Sequence, residues 1–236
     1  MTEVVWITGA ATGIGAAMAR IFADSGYRLA LTGRRQDALE ALAASLPEGT
    51  EVEIVPGDVT DRQGMVDAVA AIEARFGRID VLCNNAGLNN PRRSWAEIDW
   101  AQWDEVLRTN ITGALNVIAA VLPGMRARQG GVMIHTSSWA GRFHSPVSGV
   151  PYGASKHALS DISASLNSQE GRHGIRSCAL CPAEVATPLM ERRPGYDPAT
   201  ASAMIQPRDM AEAALFVARM NPGVAVHEIV LSPVRR

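Results

Sequence analysis

A tyrosine and a lysine stand four positions apart in PYGASKHALSDISASL, residues 151–166, a stretch with a helical pattern. In a helix, Tyr152 and Lys156 lie one turn apart, so their side chains share a face. The ordinary pKa of a phenol is about 10, and a nearby ammonium lowers it because the phenolate is favoured. Such a tyrosine can donate a proton in carbonyl reduction or accept one in alcohol oxidation. Two residues on a solvated helical face are the alternative, and the spacing alone does not decide.

A glycine-rich turn near the N-terminus has the composition of a phosphate-binding loop. TGAATGIG, residues 8–15, follows a predicted strand and opens a predicted helix. Gly9 permits the tight turn, and Gly13 and Gly15 let a pyrophosphate approach the backbone and the helix pack closely. The helix N-terminus offers free N–H groups to phosphate. The predicted cofactor contacts here are Gly9, Thr12, Gly13, Ile14 and Gly15, and a plain strand–helix connection is the alternative.

The end of the second predicted strand bears on the choice of cofactor. A dinucleotide fold usually has an acidic residue about 20 positions further on, where it binds the ribose 2′-hydroxyl. Here the stretch reads LTGRRQ, with Gly33 at the acidic position followed by Arg34 and Arg35. Two guanidiniums attract a 2′-phosphate, so the sequence favours NADP(H) over NAD(H). A solvated turn with two surface arginines is the alternative.

Strand-like and helical patterns alternate along the whole chain. Apolar runs predict strands at 4–9, 27–33, 51–59, 79–87, 131–138, 175–182 and 226–231. Apolar residues at helical spacing predict helices between them, among them 36–46, 97–128 and 207–220. Because the strand runs are nearly continuously apolar, both faces of the sheet should be covered. We expect an α/β fold: one domain over residues 1–236, a doubly wound (Rossmann) parallel sheet of about seven strands with helices on both faces.

Composition and charge exclude several classes of function. The chain of 236 residues is 47% hydrophobic with a net charge of −2, so no nucleic-acid partner is indicated. The start MTEVVWITGAATG has neither a basic segment nor a cleavage site, and the apolar runs are interrupted before they reach membrane-spanning length. We expect a soluble cytoplasmic protein that acts on a small molecule.

The cysteines and histidines show no metal-binding or disulfide pattern. Cys178 and Cys181 form a C-x-x-C, but residues three apart in a strand point to opposite faces. With Cys83 the cysteines number three, which argues against a disulfide framework. No second Cys or His cluster completes a zinc site. We expect core cysteines and no metal.

The substrate pocket is expected from loops that follow the strands. The stretch 187–206 contains the prolines and glycine of a loop, and its place after a strand makes it a candidate substrate lid. Four arginines lie in the loops: Arg92, Arg93, Arg192 and Arg193. One hypothesis is that one of them pairs with a carboxylate or sulfonate of a small hydroxy acid. Solvated loop arginines are the alternative.

Six motifs occur in an order and spacing that resemble the classical short-chain dehydrogenase/reductase family. They are TGAATGIG (8–15), GDVTD (57–61), NNAG (84–87), TNITG (109–113), HTSSWAG (135–141) and the Tyr-x-x-x-Lys pair. Each is weak alone, and the resemblance rests on all six in register over nearly the whole chain. The compact C-terminal end resembles NADP-dependent serine and 3-hydroxy acid dehydrogenases within that family. One departure is Ala183, which follows Pro182 where the family usually has glycine.

The resemblance implies a catalytic set made of Asn110, Ser138, Tyr152 and Lys156. Ser138, rather than Ser137, would hydrogen-bond the substrate oxygen where negative charge develops. Asn110 would hold a water in a proton relay behind Lys156, and Lys156 would hold the nicotinamide ribose. Asp58 would meet the adenine ring. The other cofactor contacts that the motifs imply are Val59, Asn85, Ala86, Gly87, Asn110, Tyr152, Pro182, Val185 and Thr187.

The sequence therefore predicts an oxidoreductase that transfers a hydride between NADP(H) and a small alcohol or carbonyl compound, with a hydroxy acid as one option. The alternatives are an NAD(H)-dependent member acting on a bulkier apolar or aromatic alcohol or ketone, and a dinucleotide sensor without chemistry. A sensor has no need of all four catalytic residues together. The segment ITGALNVIAAVL, residues 111–122, is apolar almost all round, and we expect it to support a homodimer or homotetramer.

Overall fold

Seven parallel strands form one sheet in the computed structural model, which describes residues 2–234. They are β1 (Val4–Thr8), β2 (Arg28–Thr32), β3 (Val52–Ile54), β4 (Val81–Asn84), β5 (Gly131–Thr136), β6 (Ile175–Pro182) and β7 (Glu228–Leu231). Their order across the sheet is β3-β2-β1-β4-β5-β6-β7. All five residues of β1 are buried, since both faces of the central strands are covered. The predicted seven-stranded doubly wound sheet is confirmed.

Seven α-helices cover the two faces of the sheet within the described residues. They are α1 (Gly13–Asp24), α2 (Gln36–Ala44), α3 (Arg62–Phe76), α4 (Trp100–Leu107), α5 (Ala114–Arg128), α6 (Val150–Glu170) and α7 (Pro207–Ala218). Side chains alternate along each strand, so β1 sends Val5 and Ile7 to a core with α1, α2 and α7. Val4 and Trp6 of the same strand enter a second core with α3, α5 and α6.

Local signals fix where several of these helices begin and end. Asp61 caps α3 by accepting a hydrogen bond from the backbone N–H of Gly64 at 3.0 Å. The same helix ends at Gly77, whose φ of 81° is the left-handed conformation that glycine adopts at little cost. Gln206 and Asp209 form a capping box at the start of α7. Because these residues define the helix ends, the connections to the neighbouring strands are short.

A widened turn, residues Arg108–Gly113, joins α4 and α5 into one continuous helix, Trp100–Arg128. By length and composition this helix could cross a membrane, which differs from the expectation that every apolar run is too short. The reason is its packing: Val117, Val121 and Met125 are buried in the second core. A long helix packed in a protein core can pass the same test of length and apolar content as a membrane span.

Two further expectations meet the structure with different outcomes. The third predicted strand, 51–59, is wrong in length, because pairing stops at Ile54 two residues before Pro56, which has no N–H to donate. The core location of the three cysteines is confirmed, since Cys83, Cys178 and Cys181 are buried. Among residues 2–234, no three His, Cys, Asp or Glu side chains are grouped to hold a metal ion.

Candidate active site

The site lies where the strand order reverses, beside the carboxyl ends of β1 and β4. The side chain of Thr8 accepts hydrogen bonds from the backbone N–H groups of Asn85 and Ala86 at 3.0 and 3.1 Å. Asn85 in turn donates to the carbonyl oxygen of Thr8 at 3.1 Å and accepts from the hydroxyl of Thr136 at 2.9 Å. These bonds tie three strand ends together and make a firm floor for a groove.

The glycine loop is shaped for a close approach to its backbone. Gly9 and Gly13 adopt φ of 62° and 57°, which side chains rarely tolerate. A Cβ at Gly15 would lie 2.3 Å from the carbonyl oxygen of Gly9, so this glycine serves close packing of α1. Helix α1 begins at Gly13 with no acidic residue in its first turn. Its N-terminal N–H groups are therefore suited to a phosphate.

One continuous groove brings most of the predicted cofactor residues together. Its lining includes Gly9, Thr12, Gly13, Ile14, Arg34, Arg35, Asp58, Val59, Asn85, Ala86, Gly87, Tyr152, Lys156, Pro182, Val185 and Thr187. Gly15 and Asn110 are the two predicted contacts that lie behind this lining. Both are packed against residues that form it, Gly15 against Gly9 and Asn110 against Gly87.

At one end of the groove lie the residues that would meet the adenosine part of a cofactor. Among the described residues, the arginines there are unpaired, whereas the aspartate is fixed by hydrogen bonds. Arg34 and Arg35 are exposed, and neither forms an ion pair within residues 2–234. The Gly33 carbonyl accepts a hydrogen bond from the Gly57 N–H at 3.1 Å, which fixes the two loops together. One carboxylate oxygen of Asp58 accepts from the Thr60 N–H and hydroxyl, both at 2.9 Å. The aspartate is thereby held in place at the groove.

At the other end of the groove, Tyr152 lies beside Ser138. The first residues of α6 carry the phenol, and both Tyr152 and Ser138 line the groove. Ser137 points elsewhere: its hydroxyl donates to the Lys156 carbonyl at 3.0 Å and lies 2.9 Å from the Ser160 hydroxyl. The two serines therefore differ in their hydrogen-bond partners, and the choice of Ser138 as the catalytic serine stays a prediction.

Lys156 is buried one turn along α6. Its ammonium donates to the Thr136 carbonyl oxygen at 2.6 Å and lies 5.5 Å from the centre of the Tyr152 ring. Burial is the main cause that lowers the pKa of Lys156 to about 8. A lysine with this pKa changes charge close to physiological pH.

The pKa of Tyr152 departs from the sequence expectation. Burial raises it, while the nearby Ser138 hydroxyl and the charge of Arg93 lower it. The expected net lowering of this pKa is wrong for the chain by itself, because burial outweighs the lowering causes. Arg93, a loop residue, is one of those lowering causes and was not foreseen.

Asn110 occupies the widened turn between α4 and α5 and is fully enclosed. Its carbonyl oxygen accepts from the Leu88 N–H at 2.9 Å, and its amide donates to the Leu88 carbonyl and the Ser155 hydroxyl, both at 3.0 Å. A Cβ on Gly87 would lie 3.2 Å from the Asn110 oxygen and 3.4 Å from the Lys156 nitrogen. Asn110 and Lys156 therefore flank the same glycine, and a larger residue there would press against the Asn110 oxygen.

His135 adds a buried polar group to this region. It lies on β5 directly before Thr136, and neither ring nitrogen has a hydrogen-bond partner among the described residues. Burial, followed by the positive charge of Lys156, lowers the pKa of His135 to about 4. The imidazole is consequently neutral at physiological pH.

A second cavity adjoins the groove and shares Tyr152 and Ser138 with it. Its lining also includes Asn89, Arg93, Trp139, Ser145, Val147, Ser148, Ala183, Glu184, Leu189, Met190 and Arg193. The predicted loop 187–206 contains two short 3₁₀ helices, Pro188–Arg192 and Pro198–Ala203. Leu189 and Met190 of this loop line both the groove and the cavity. Ala183, where the family has glycine, lies at the junction.

Sequence reasoning missed two residues that shape this cavity. The Asn89 amide donates to the Ser148 carbonyl at 3.0 Å and so joins the loop after β4 to the segment before α6. Gly149, with φ of 80°, lies against Arg93, where a Cβ would come within 2.3 Å of the arginine Cβ. The sequence Gly149-Val150-Pro151 is a turn signal that could have indicated the glycine. For Asn89 the signal is its place in 88–95, a loop from which pocket residues were expected, although the residue itself was not singled out.

Comparison with known proteins places these features in a family. The family model described as short chain dehydrogenase matches residues 3–195. A sulfoacetaldehyde reductase of Chromohalobacter salexigens is 35% identical over 243 aligned positions, which span 100% of this chain and 96% of the relative. The chain belongs to the short-chain dehydrogenase family.

Solved structures agree with this assignment. The closed form of a serine dehydrogenase complexed with NADP⁺ superimposes with a TM-score of 0.90 at 29% identity, covering 98% of this chain and 95% of that one. An actinorhodin polyketide ketoreductase with NADPH gives a TM-score of 0.89 at 29% identity over 98% and 95% of the two chains. The chain is thus an oxidoreductase that uses a nicotinamide dinucleotide.

The residues present fit that cofactor. The glycines that open the loop leave its backbone accessible, and the N-terminus of α1 faces the groove. A Cβ on Gly13 would lie nearest to the side chains of Thr187 and Pro188, so a phosphate at the loop would be bordered by the first residues of the predicted lid. Tyr152 and Lys156 stand at the far end, where a nicotinamide ribose would lie.

Proposed function

We propose that this protein transfers a hydride between NADP(H) and a small alcohol or carbonyl compound, with Tyr152 as the acid or base. The observation that carries the proposal is the position of Tyr152 and Ser138, which line both the cofactor groove and the adjoining cavity. A substrate oxygen bound between them would face the cofactor on one side and the cavity on the other. The proposal includes a cytoplasmic location, which stays an expectation from the sequence.

Tyr152 would supply the proton in the reductive direction. Because burial raises its pKa, the phenol holds a proton at neutral pH and can donate it to a carbonyl oxygen as negative charge develops there. The Ser138 hydroxyl would donate a second hydrogen bond to the same oxygen. The bound nicotinamide would supply the hydride.

Lys156 and Asn110 would support this step without touching the substrate oxygen. The Lys156 ammonium lies between the Thr136 carbonyl and the Tyr152 ring, at the place where a ribose hydroxyl would bind. Asn110 fixes the Leu88 backbone and borders the same glycine as Lys156. A water held by Asn110, as in the family relay, would return a proton towards Lys156.

We propose NADP(H) over NAD(H) because Gly33 occupies the position of the acidic residue that would bind the ribose, and two exposed guanidiniums, Arg34 and Arg35, follow it. The serine dehydrogenase and the ketoreductase with similar structures were solved with NADP⁺ and NADPH, which supports the choice. The charge of a 2′-phosphate also suits the adjacent N-terminus of α2, although Asp37 in its first turn opposes it.

The test is a fluorescence titration of the purified protein with NADPH and with NADH. NADPH should bind at least about tenfold more tightly, and Arg34→Ala and Arg35→Ala should each weaken NADPH binding while hardly changing that of NADH. Arg208→Ala, an exposed arginine of α7 outside the groove, is the control. Equal binding of the two nucleotides would reject the NADP(H) preference, and binding of neither would reject the proposed activity.

We further propose that the segment 187–206 closes over the substrate and that the substrate is small. Its first 3₁₀ helix, Pro188–Arg192, borders the groove, and its second, Pro198–Ala203, reaches the cavity through Ser202 and Ala203. A ligand in either place would contact the segment, which couples cofactor binding to closure. Protection of this segment from proteolysis by NADPH would support the lid, and identical cleavage with and without NADPH would reject it.

A further inference from the structure

The four loop arginines, Arg92, Arg93, Arg192 and Arg193, have different surroundings. Among the described residues, Arg93 alone lines the cavity without a carboxylate partner. Arg92 is exposed and pairs with Asp99 at 3.2 Å. Arg193 also lines the cavity but forms an ion pair with Glu184. Arg192 lines the cofactor groove instead. Arg93 lines the cavity, and no carboxylate within residues 2–234 pairs with it.

Backbone carbonyl groups hold the Arg93 side chain in a fixed position. Its Nε donates to the Asn90 carbonyl at 2.6 Å, and its two terminal nitrogens donate to the carbonyls of Val147 and Arg192, both at 3.2 Å. Three of the five N–H donors of the guanidinium are thereby used, and two remain. Neutral carbonyl groups orient the group without neutralising its charge.

The backbone of Arg93 is fixed to the helix that carries Tyr152. The Val150 N–H donates to the Arg93 carbonyl oxygen at 3.1 Å. Gly149 leaves just enough space for this contact, because a Cβ there would come within 2.3 Å of the arginine Cβ. The start of α6 therefore positions both residues: Val150 holds the Arg93 backbone, and Tyr152 follows Val150 by two residues.

The charge of Arg93 acts inside the cavity. It lowers the pKa of Tyr152, so the guanidinium and the phenol interact electrostatically. Burial and the nearby charge of Arg193 lower the pKa of Arg93 itself, which means that a further negative charge would relieve an unfavourable environment. Glu184, the carboxylate that lines this cavity, is already engaged by Arg193. The cavity next to Tyr152 thus has an excess of positive charge.

We infer that Arg93 binds an anionic group, a carboxylate or a sulfonate, at the end of the substrate away from its reacting carbon. The inference rests on the proposed function, since it places the reacting oxygen at Tyr152 and Ser138. Its two remaining donors suit an oxyanion with more than one acceptor oxygen. The substrates are therefore small anionic alcohols and the matching aldehydes or ketones.

Matched pairs of alcohols test this inference with NADP⁺ as oxidant. The anion 2-hydroxyethanesulfonate is compared with the neutral 2-(methylsulfonyl)ethanol, and 3-hydroxypropanoate with 3-hydroxypropanamide. We expect kcat/KM to favour the anion of at least one pair by about 10- to 100-fold, the range of a charge-assisted bidentate contact. The pair with the larger preference identifies the anion as sulfonate or carboxylate.

Variants separate charge recognition from a purely structural role of Arg93. In Arg93→Gln the ratio of kcat/KM between anion and neutral partner should fall to near one, mainly through KM of the anion. Arg93→Lys keeps the charge without the planar fork and should give an intermediate ratio. Arg92→Gln, the exposed neighbouring arginine, is the control and should leave the ratio unchanged. A merely structural arginine would lower activity on both partners and preserve the ratio.

The outcomes are distinguishable from failure of the proposed function. A wild-type preference for the neutral partners, or an unchanged ratio in Arg93→Gln and Arg93→Lys, overturns the anion site while leaving the oxidoreductase intact. If no alcohol is oxidised, calorimetric binding of 2-hydroxyethanesulfonate and its neutral partner to the NADP⁺-saturated protein decides. Binding of the anion alone, lost in Arg93→Gln, supports the anion site, and equal binding overturns it.

Discussion

Burial sets the protonation state of the residues around the reacting position. It raises the pKa of Tyr152 and lowers those of Lys156 and His135, so the phenol stays protonated while the two bases lose protons more readily. The tyrosine is therefore prepared as a proton donor before any ligand binds. The positive charges that face it come from two elements, α6 and the loop after β4.

The pKa of Lys156 predicts the pH dependence of reduction. Since its pKa is lowered to about 8, the ammonium is present below pH 8 and is lost above it. We expect kcat/KM for carbonyl reduction to be level below about pH 7 and to fall up to about tenfold per pH unit above 8. An arginine stays protonated over this range, so the remaining activity of Lys156→Arg should lack this falling limb. An unchanged limb in Lys156→Arg would assign it to another group.

His135 predicts a loss of stability in mild acid. Its pKa in the fold is about 4, below the ordinary value of about 6.5. Above pH 6.5 the imidazole is neutral in both the folded and the unfolded chain, so protonation of His135 does not reduce the free energy of unfolding. As the pH falls from 6.5 towards 4, the unfolded chain binds a proton that the folded chain does not, and stability decreases.

Urea unfolding at pH 7.5 and pH 4.5 measures this effect. His135→Asn should reduce the loss of unfolding free energy between the two pH values by about 2 to 3 kcal/mol relative to the wild type. The exposed His157, replaced by asparagine, is the matched control. The same pH dependence in His135→Asn and in the wild type would contradict the buried neutral imidazole.

Short connecting elements, more than the helices and strands themselves, place the functional groups. The glycine loop at the start of α1 and the turn before α6 both use glycines with positive φ, at Gly13 and Gly149. Each brings backbone close to a neighbouring loop, Gly13 to Thr187 and Gly149 to Arg93. Substitution at such a position changes contact across the site as well as local backbone energy.

Gly13→Ala tests the loop at this scale. The alanine Cβ would come within 3.2 Å of the Thr187 side chain and narrow the phosphate cradle, so NADPH should bind at least about tenfold more weakly. Gly26→Ala is the matched control, because Gly26 also has a positive φ but nothing lies within 4 Å of a Cβ there. Both variants should lose a similar small amount of thermal stability. Equal NADPH affinity in the two variants would show that the cradle tolerates a methyl group.

The sequence was sufficient for the order of the elements but not for all their geometry. The apolar runs of β1 and β6 are each close to the observed strand, because burial on both faces leaves a strong pattern. The widened turn at Arg108–Gly113 has no such pattern, and it arises where Asn110 binds the Leu88 backbone across the chain. Contacts between residues distant in sequence decide features of this kind.

The candidate site also has features that the sequence predicted and features that depend on contacts between distant residues. Motif residues after β1, β4 and β5 lie together at one edge of the sheet because parallel strands end there, while the roles assigned to them stay predictions. The pairing of each arginine was not predictable, because Asp99, Glu184 and Gly149 give no sign in the sequence of which arginine they meet. Burial around Tyr152 reversed the expected direction of its pKa for the same reason.

At the scale of the whole molecule, part of the surface remains apolar. Leu115 on α5 is 44% exposed although its helix is mostly apolar, and Trp95 and Trp100 near α4 are 66% and 65% exposed while packing against Trp103. Large exposed aromatic and aliphatic side chains on adjacent elements are typical of a protein interface. We propose that the apolar segment 111–122, including the exposed Leu115, joins copies of the chain into a homodimer or homotetramer.

Sedimentation velocity at micromolar concentration tests the assembly. The wild type should sediment as two or four chains, and Leu115→Arg should shift it towards one chain by placing a charge in the contact. Val66→Arg is the control, since Val66 of α3 is 46% exposed but lies on another helix. A wild type that sediments as one chain would contradict the proposed assembly.

The central claim is that Tyr152 gives a proton to a substrate oxygen while the groove holds the nicotinamide cofactor. The most direct measurement compares carbonyl reduction and NADPH binding in the wild type and in Tyr152→Phe, which removes only the hydroxyl. We predict a loss of kcat of about 100-fold or more with NADPH affinity within about threefold of the wild type. Reduction at the wild-type rate by Tyr152→Phe would contradict the account.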